Sequence, residues 1–218
     1  NMATNSAINL ITAASGKLVQ AQGVGVANGF TTATYPTTAG TSGTVLRSDG
    51  TNWVNSSAFK VSSADVYTNT AQPSVKAILS TTASDITGDG TIVTIPFDTA
   101  SFDQASNFNT GTYRFTAPVT GKYWVFCNIY MAGLAAGHNS GKLFILSNNT
   151  NNIGQYIFNP GAIRDVNNTA SVSMGQMIAF NASDYIEMRL VVYSGAKTVD
   201  VGNDNFGLLS WFDIQLMN

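Results

Sequence analysis

One stretch constrains this chain more than any other. From Lys122 to Met131 it reads KYWVFCNIYM, with aromatic, β-branched or otherwise apolar residues at both odd and even positions. Successive side chains of a strand point to opposite faces, so a strand here is apolar on both. One face can go to the domain's own core; the other needs a second sheet or another subunit. Upstream, Tyr113-Arg114-Phe115-Thr116-Ala117 alternates bulky and polar residues, Pro118 stops it, and Thr120-Gly121 turns the chain. The closing stretch Phe206 to Met217 is also two-faced. Phe206, Leu208, Phe212, Ile214 and Leu216 point one way, and Leu209, Trp211 and Met217 the other. Two such strands in one domain predict a sheet face covered by other copies of the chain. Trp124, Phe126, Tyr130, Leu209 and Trp211 are the expected interface residues.

Composition narrows the class. Charged residues are only 10% of the 218, well under the roughly 25% of ordinary globular domains. Asn, Thr, Ser and Gly must therefore dress the surface, as is common on extracellular and virion proteins. Net charge is −2 with no cluster of Lys and Arg, which argues against a nucleic-acid partner. Cys127, the single cysteine, excludes an intrachain disulfide and reads as a small buried hydrophobe. No run approaches the ~20 apolar residues of a membrane-spanning helix. Asn1-Met2 does not open a signal peptide, and the chain is expected to begin inside a longer protein.

Residues 1–36 carry short apolar runs divided by Ala, Ser and Gly, and are expected to be a fibrous β stalk or a linker. Residues 37–71 form a second section. Val45-Leu46-Arg47, the turn Ser48-Asp49-Gly50-Thr51 and Asn52-Trp53-Val54 make a hairpin signal. Its pattern, G-T-x-G-x-V-L-x-S-D-G-T-x-W, resembles a small module of bacteriophage tail fibres. A lone hairpin is marginal in water, so Trp53 is expected to pack on neighbouring chains or on the head. Ala58 to Gln72 reads as a polar connector, and the head spans 72–218.

In the head, an apolar run ending in Pro96-Phe97 is followed by Asn107-Phe108 and then by TGTYRFTAPVTGKYWVF. These blocks, closed by Asn205-Phe206-Gly207-Leu208-Leu209, resemble the globular head of complement component 1q from about Gln72 to Leu216. Ser183-Asp184 stands where that family has Gly-Asp. The resemblance implies a tumour-necrosis-factor-like jelly roll. The expected architecture is all-β: a ten-stranded jelly-roll sandwich on a short β-structured stalk, assembled as a homotrimer. That family binds many unrelated partners, so fold alone does not give function. The stalk has no collagen Gly-x-y repeat, which weighs against a secreted complement-like protein.

Catalytic signatures are missing: no Gly-x-Ser-x-Gly elbow, phosphate loop, His-Glu-x-x-His or Cys-His pair. Asp98 with Asp103, or Asp165 with Asp184, are the carboxylate pairs that folding would have to bring together for glycan cleavage. DITGDG (Asp85 to Gly90) has the flavour of a calcium loop but lacks the ligand spacing and closing Glu of an EF-hand. Asp85 and Asp89 are its candidate ligands, and otherwise no metal or cofactor is expected. His138 sits in the loop AGLAAGHNSG and reads as exposed. Four loops, Gly133–Gly141, Asn148–Asn152, Arg164–Asn168 and Lys197–Asn203, are the expected receptor contacts. Their named candidates are His138, Asn139, Asn148, Asn149, Asn151, Arg164, Asn167 and Asn203. The sequence thus predicts a non-enzymatic, trimeric fibre-tip protein on the virion surface that binds a host-surface glycan or protein. The alternatives are a head that registers trimerisation of a fibre and a secreted complement-like binding domain.

Overall fold

Asp49 turns the first hairpin. Its Oδ1 accepts from the amides of Thr51 (2.9 Å) and Asn52 (2.6 Å), and Gly50 takes φ +99°. These bonds hold the Asp49 carboxyl below its usual range. The computed structural model of the protein describes residues 42–148, 151–202 and 209–217, and the chain divides into two units, Asn1–Ala71 and Gln72–Asn218. The expected stalk at 1–36 lies outside the described residues.

In the first unit, β1 (Thr44–Ser48), β2 (Trp53–Val61) and β3 (Tyr67–Asn69) form one antiparallel sheet in that order. The connector expected at 58–72 is thus partly sheet. β2 runs on to Val61, the chain returns as β3, and Phe59 stacks on Tyr67 with ring centroids 5.7 Å apart. Single apolar residues spaced by polar ones were an edge-strand pattern, not a linker.

The second unit is built from pairs that nest about position 150. Innermost, β11 (Ser140–Ser147) pairs with β12 (Asn151–Phe158). Around it, β10 (Gly121–Ala132) pairs with β13 (Ala170–Phe180) along its whole length. Next, β9 (Arg114–Thr116) pairs with β14 (Tyr185–Tyr193), and outermost β4 (Ser74–Ile78) pairs with β16 (Trp211–Met217). Successive pairs fall in alternate sheets, which is the connectivity of a jelly roll. Pairings β10–β16 and β11–β14 complete a seven-stranded and a six-stranded sheet. The additional strands are β5 (Ala83–Thr87), β6 (Val93–Thr94), β7 (Thr99–Gln104), β8 (Phe108–Asn109) and β15 (Val199–Val201). The head is therefore the expected jelly roll, with more strands than ten because several are short.

The core lies between the sheets. Tyr123, Val125, Cys127, Ile129 and Met131 of β10 are fully buried and face Leu143, Ile145, Ile186, Met188 and Leu190 across the sandwich. Tyr123 sits between Phe115 and Phe180, with centroids at 5.7 and 5.4 Å, and its hydroxyl donates to the Val119 carbonyl at 2.8 Å. Phe97 and Phe108 both meet Phe212 at 6.1 Å. Burying each such ring contributes about 1.5–3 kcal/mol beside the aliphatic residues of the same core.

Three local departures have clear causes. Of the apolar run that ends in Pro96-Phe97, only β6 is strand. Ile95 still donates to Met188, but Pro96 has no N–H to continue the ladder. β7 was unmarked because an edge strand with one outward apolar residue, Phe102, shows little alternation. Asn159-Pro160-Gly161, expected as a turn, starts the one-turn helix α1 (Pro160–Ile163). Asn159 accepts from the Ala162 amide, and Pro160 occupies the first turn.

Candidate functional site

Two regions of the head carry the candidate residues: the outer face of the seven-stranded sheet, and the loops at the two ends of the sandwich.

Because β10 buries its odd-numbered residues, Trp124, Phe126, Asn128 and Tyr130 must project from the outer face. Trp211 reaches the same face from β16. Phe126 stacks on Trp211 with centroids 5.2 Å apart and planes 22° apart. Lys76 of β4 lies over the Trp211 ring at 5.1 Å. Glycines make room for the rings. A Cβ on Gly175 would stand 2.2 Å from Phe126, and one on Gly202 2.5 Å from Tyr130. Trp124 remains 43% exposed, and Met177, Met217 and Phe102 extend the apolar surface. Of the expected interface set, Trp124, Phe126, Tyr130 and Trp211 share this face. Leu209 is half-buried just before β16, where its carbonyl accepts from Asn128 at 2.5 Å. Trp53 belongs to the first unit.

Asp213 stands in the middle of this face, opposite Phe126 in one ladder and Lys76 in the other. Its Oδ1 is buried with no hydrogen-bond partner. Burial pushes its carboxyl up, and Lys76 opposes that only in part. Burial likewise pushes the Cys127 thiol well up, with the Asp213 charge adding to it, so Cys127 is a protonated, inert core group.

The opposite sheet treats its acid differently. Glu187, on the face of β14 where alternation predicts an ion pair or solvent, takes the ion pair: it is 2% exposed and sits between Arg114 at 2.8 Å and Arg189. Thr94 also donates to it, at 3.2 Å. Burial works against its charge, but the two guanidinium groups outweigh that and hold the carboxyl below its usual range. Arg114 in turn lies over Tyr185, 4.3 Å from the ring centroid.

The four expected receptor loops do not form one site. The loop 133–139, α1 with its following turn 164–169, and segment 194–198 converge at one pole. Leu134 donates to Asn168 at 3.0 Å, Gly161 to His138 at 2.6 Å, and Thr198 to Gly133 at 3.2 Å. Asn148 lies at the far end of β11, at the other pole. There its amide donates to Asp184 at 2.8 Å and its Oδ1 accepts from Tyr185 at 3.0 Å. It is a brace for the β13–β14 turn. Asn149, Asn203 and the side chain of Asn151 lie outside the described residues.

At the first pole, Asn139 and Asn167 are exposed, and Arg164 is half-buried with its guanidinium on Asn168. Asp165 braces the 165–169 loop by accepting from Asn167 (2.9 Å) and Thr169 (2.8 Å). This presents Val166, which the sequence reading passed over, at 95% exposure. His138 requires a correction. It is fully buried, so its side chain is not a surface contact, and it fills a niche left by Gly88 and Gly195.

The carboxylate pairs also separate. Asp165 and Asp184 stand at opposite ends of β13. Asp98 accepts from Ser80 (2.6 Å to its amide), while Asp103 holds the amides of Asn107 and Phe108 at 2.9 Å. The DITGDG stretch, expected as a calcium-type loop, is half strand: Asp85 to Thr87 close β5, where the Asp85 amide donates to Asp200 at 2.7 Å, and Gly88 to Gly90 make the turn, with Asp89 capping Thr91 at 2.9 Å. Among the described residues no three His, Cys, Asp or Glu side chains stand close enough to share a metal ion.

No protein-family model matches the chain, and neither does any curated protein. Solved structures of similar shape include the globular domain of zebrafish complement 1qA, with 14% identity and a TM-score of 0.46 over 67% of this chain and 98% of that one. Another is murine APRIL, with 7% identity and a TM-score of 0.47 over 67% and 99%.

Proposed function

We propose that the head is a non-enzymatic binding module that works as a homotrimer. Its copies meet across the outer face of the seven-stranded sheet and display the pole loops to a host-surface receptor. The observation that carries the reading is the stacked Phe126–Trp211 pair, with Trp124, Tyr130 and Met177 on a face that no second layer covers among the described residues. Lys76, Lys122 and Asp213 share that face, so its charge is mixed and two copies do not meet like on like. An oligomer of this kind is closed and symmetric, and its stability depends on protomer concentration.

The place of such a head is the tip of a viral, bacteriophage-type fibre, with the 37–71 hairpin section leading into it. The receptor is a glycan or a protein. Asn139 and Asn167 suit hydroxyl groups, while Val166 suits an apolar contact. The second reading, a head that registers trimerisation of the fibre, rests on the same aromatic face. Deleting residues 72–218 and exchanging the pole loops separate the two. Under the binding reading, loop exchange at 133–139 and 164–169 abolishes adsorption to host cells while the trimer persists. Unchanged adsorption would leave registration as the function.

A further inference from the structure

The chain has one histidine, and the fold uses every polar atom it offers. Nδ1 of His138 accepts from the Ala135 amide at 2.9 Å, and Nε2 faces the Ala196 carbonyl at 3.2 Å. A backbone amide can only donate, so Nδ1 carries a lone pair and the hydrogen resides on Nε2, which donates to Ala196. These two contacts select one tautomer of the ring. The residue's own amide donates to Ala135 at 3.1 Å, and its carbonyl accepts from Gly161 in α1. The niche is close-fitting: a Cβ on Gly195 would come within 2.1 Å of Nε2, and one on Gly88 within 3.1 Å. Three segments thus meet at this side chain, loop 133–139, the turn after β5 and residues 194–198, and α1 joins them through the residue's backbone carbonyl.

Few charged groups surround it. The turn after β5 brings Asp89, whose carboxyl is drawn down by its hydrogen bonds to Thr91 and by Lys197. Segment 194–198 brings Lys197 itself, and β14 ends in the phenol of Tyr193, packed on Gly90. Loop 133–139 and α1 contribute no charge. The Asp89 carboxylate caps the Thr91 amide, and the described hydrogen bonds of the ring include no acidic side chain.

We infer that His138 is a proton-operated pin that positions the pole loops. A proton added at Nδ1 occupies the lone pair that the Ala135 amide uses, and two N–H groups cannot point at one another. The Ala135 bond breaks, the fully buried ring becomes a cation, and loop 133–139 loosens from segment 194–198 and, as the His138 carbonyl shifts, from α1. His138 is a positioning residue, and the inference stands whether or not the pole binds a receptor.

The test uses the full chain. Its single imidazole gives an unambiguous ring NMR titration from about pH 8 to pH 5, where imidazoles change charge. Exchange of the Ala135 amide, normalised to its intrinsic rate at each pH, reads the pin. Protection of Ala135 should fall by about tenfold or more in step with ring protonation. His138→Asn keeps an acceptor oxygen near the same amide but does not titrate, so its protection should stay flat. Gly195→Ala retains the histidine and crowds the ring, and should loosen Ala135 already at pH 8. The inference is overturned if the ring titrates while Ala135 stays protected, if the ring does not titrate down to pH 5, or if protection falls equally in His138→Asn.

Discussion

Glu187 and Asp213 show how position rather than residue type decides what a carboxylate does. Glu187 is buried between Arg114 and Arg189, and its lowered carboxyl range means that the charged form is favoured by folding. Its stabilising contribution is present above the unfolded carboxyl value and is lost as pH falls through the lower folded one. Glu187→Gln at pH 7 should cost about 2–3 kcal/mol, below the usual figure for a broken buried pair because both arginines are partly exposed. Thermal melts should show a drop of roughly 5–10 °C. Asp213 has the opposite sign. Its carboxyl is raised, so its contribution is present below the unfolded carboxyl value and disappears as pH rises through the folded one. Asp213→Asn should therefore raise the melting temperature of the isolated protomer at pH 7, by roughly 2–4 °C, and change it little near pH 3. Cys127 should resist thiol reagents until the head is unfolded in denaturant. Its burial was legible from an apolar run around a lone cysteine. Neither Asp213 nor His138 was, because their surroundings come from residues far away in sequence, Lys76 and Phe126 for one and Ala196 and Gly161 for the other.

β10 is the element on which both layers depend. Its odd residues belong to the sandwich core and its even residues to the outer face, so substitutions on the two faces should separate cleanly. Tyr123→Ala removes a ring wedged between Phe115 and Phe180 and should cost about 3–5 kcal/mol, visible as a lower urea midpoint. Trp124→Ser, on the 43% exposed outer side, should leave the protomer's melt within a few degrees and act on association instead. Gly175→Val should disturb the outer face from the neighbouring strand, since its side chain would occupy the position of the Phe126 ring. Strands were readable from apolar residues on both faces in β10 and β16 and from alternation in β14. β7 and β3 were not, being edge strands dominated by polar residues, and neither was β15, whose three residues between β5 and β10 are too few to show alternation. α1 escaped because Asn-Pro-Gly is turn chemistry that serves equally well as a helix start.

At the scale of the molecule, the nested pairing about position 150 gathers the chain into one sandwich and sets loops from distant parts of the sequence side by side at each pole. This is why the candidate contact loops, chosen one at a time along the sequence, divide between two ends. Connectivity across a sheet decides which loops are neighbours, and periodicity carries no information about it. Among the described residues nothing in the head covers the Trp124, Phe126 and Trp211 face, and the homotrimer depends on what does. Solution mass by light scattering of the full chain, at micromolar concentration and neutral pH, measures that most directly. The predicted result is a mass near three times the 23.0 kDa of the chain, falling to that of one chain when Trp124 and Phe126 are both replaced by serine. A wild-type chain that stays at 23.0 kDa would contradict the account, because the aromatic face would then be a solvent-facing surface of a monomer.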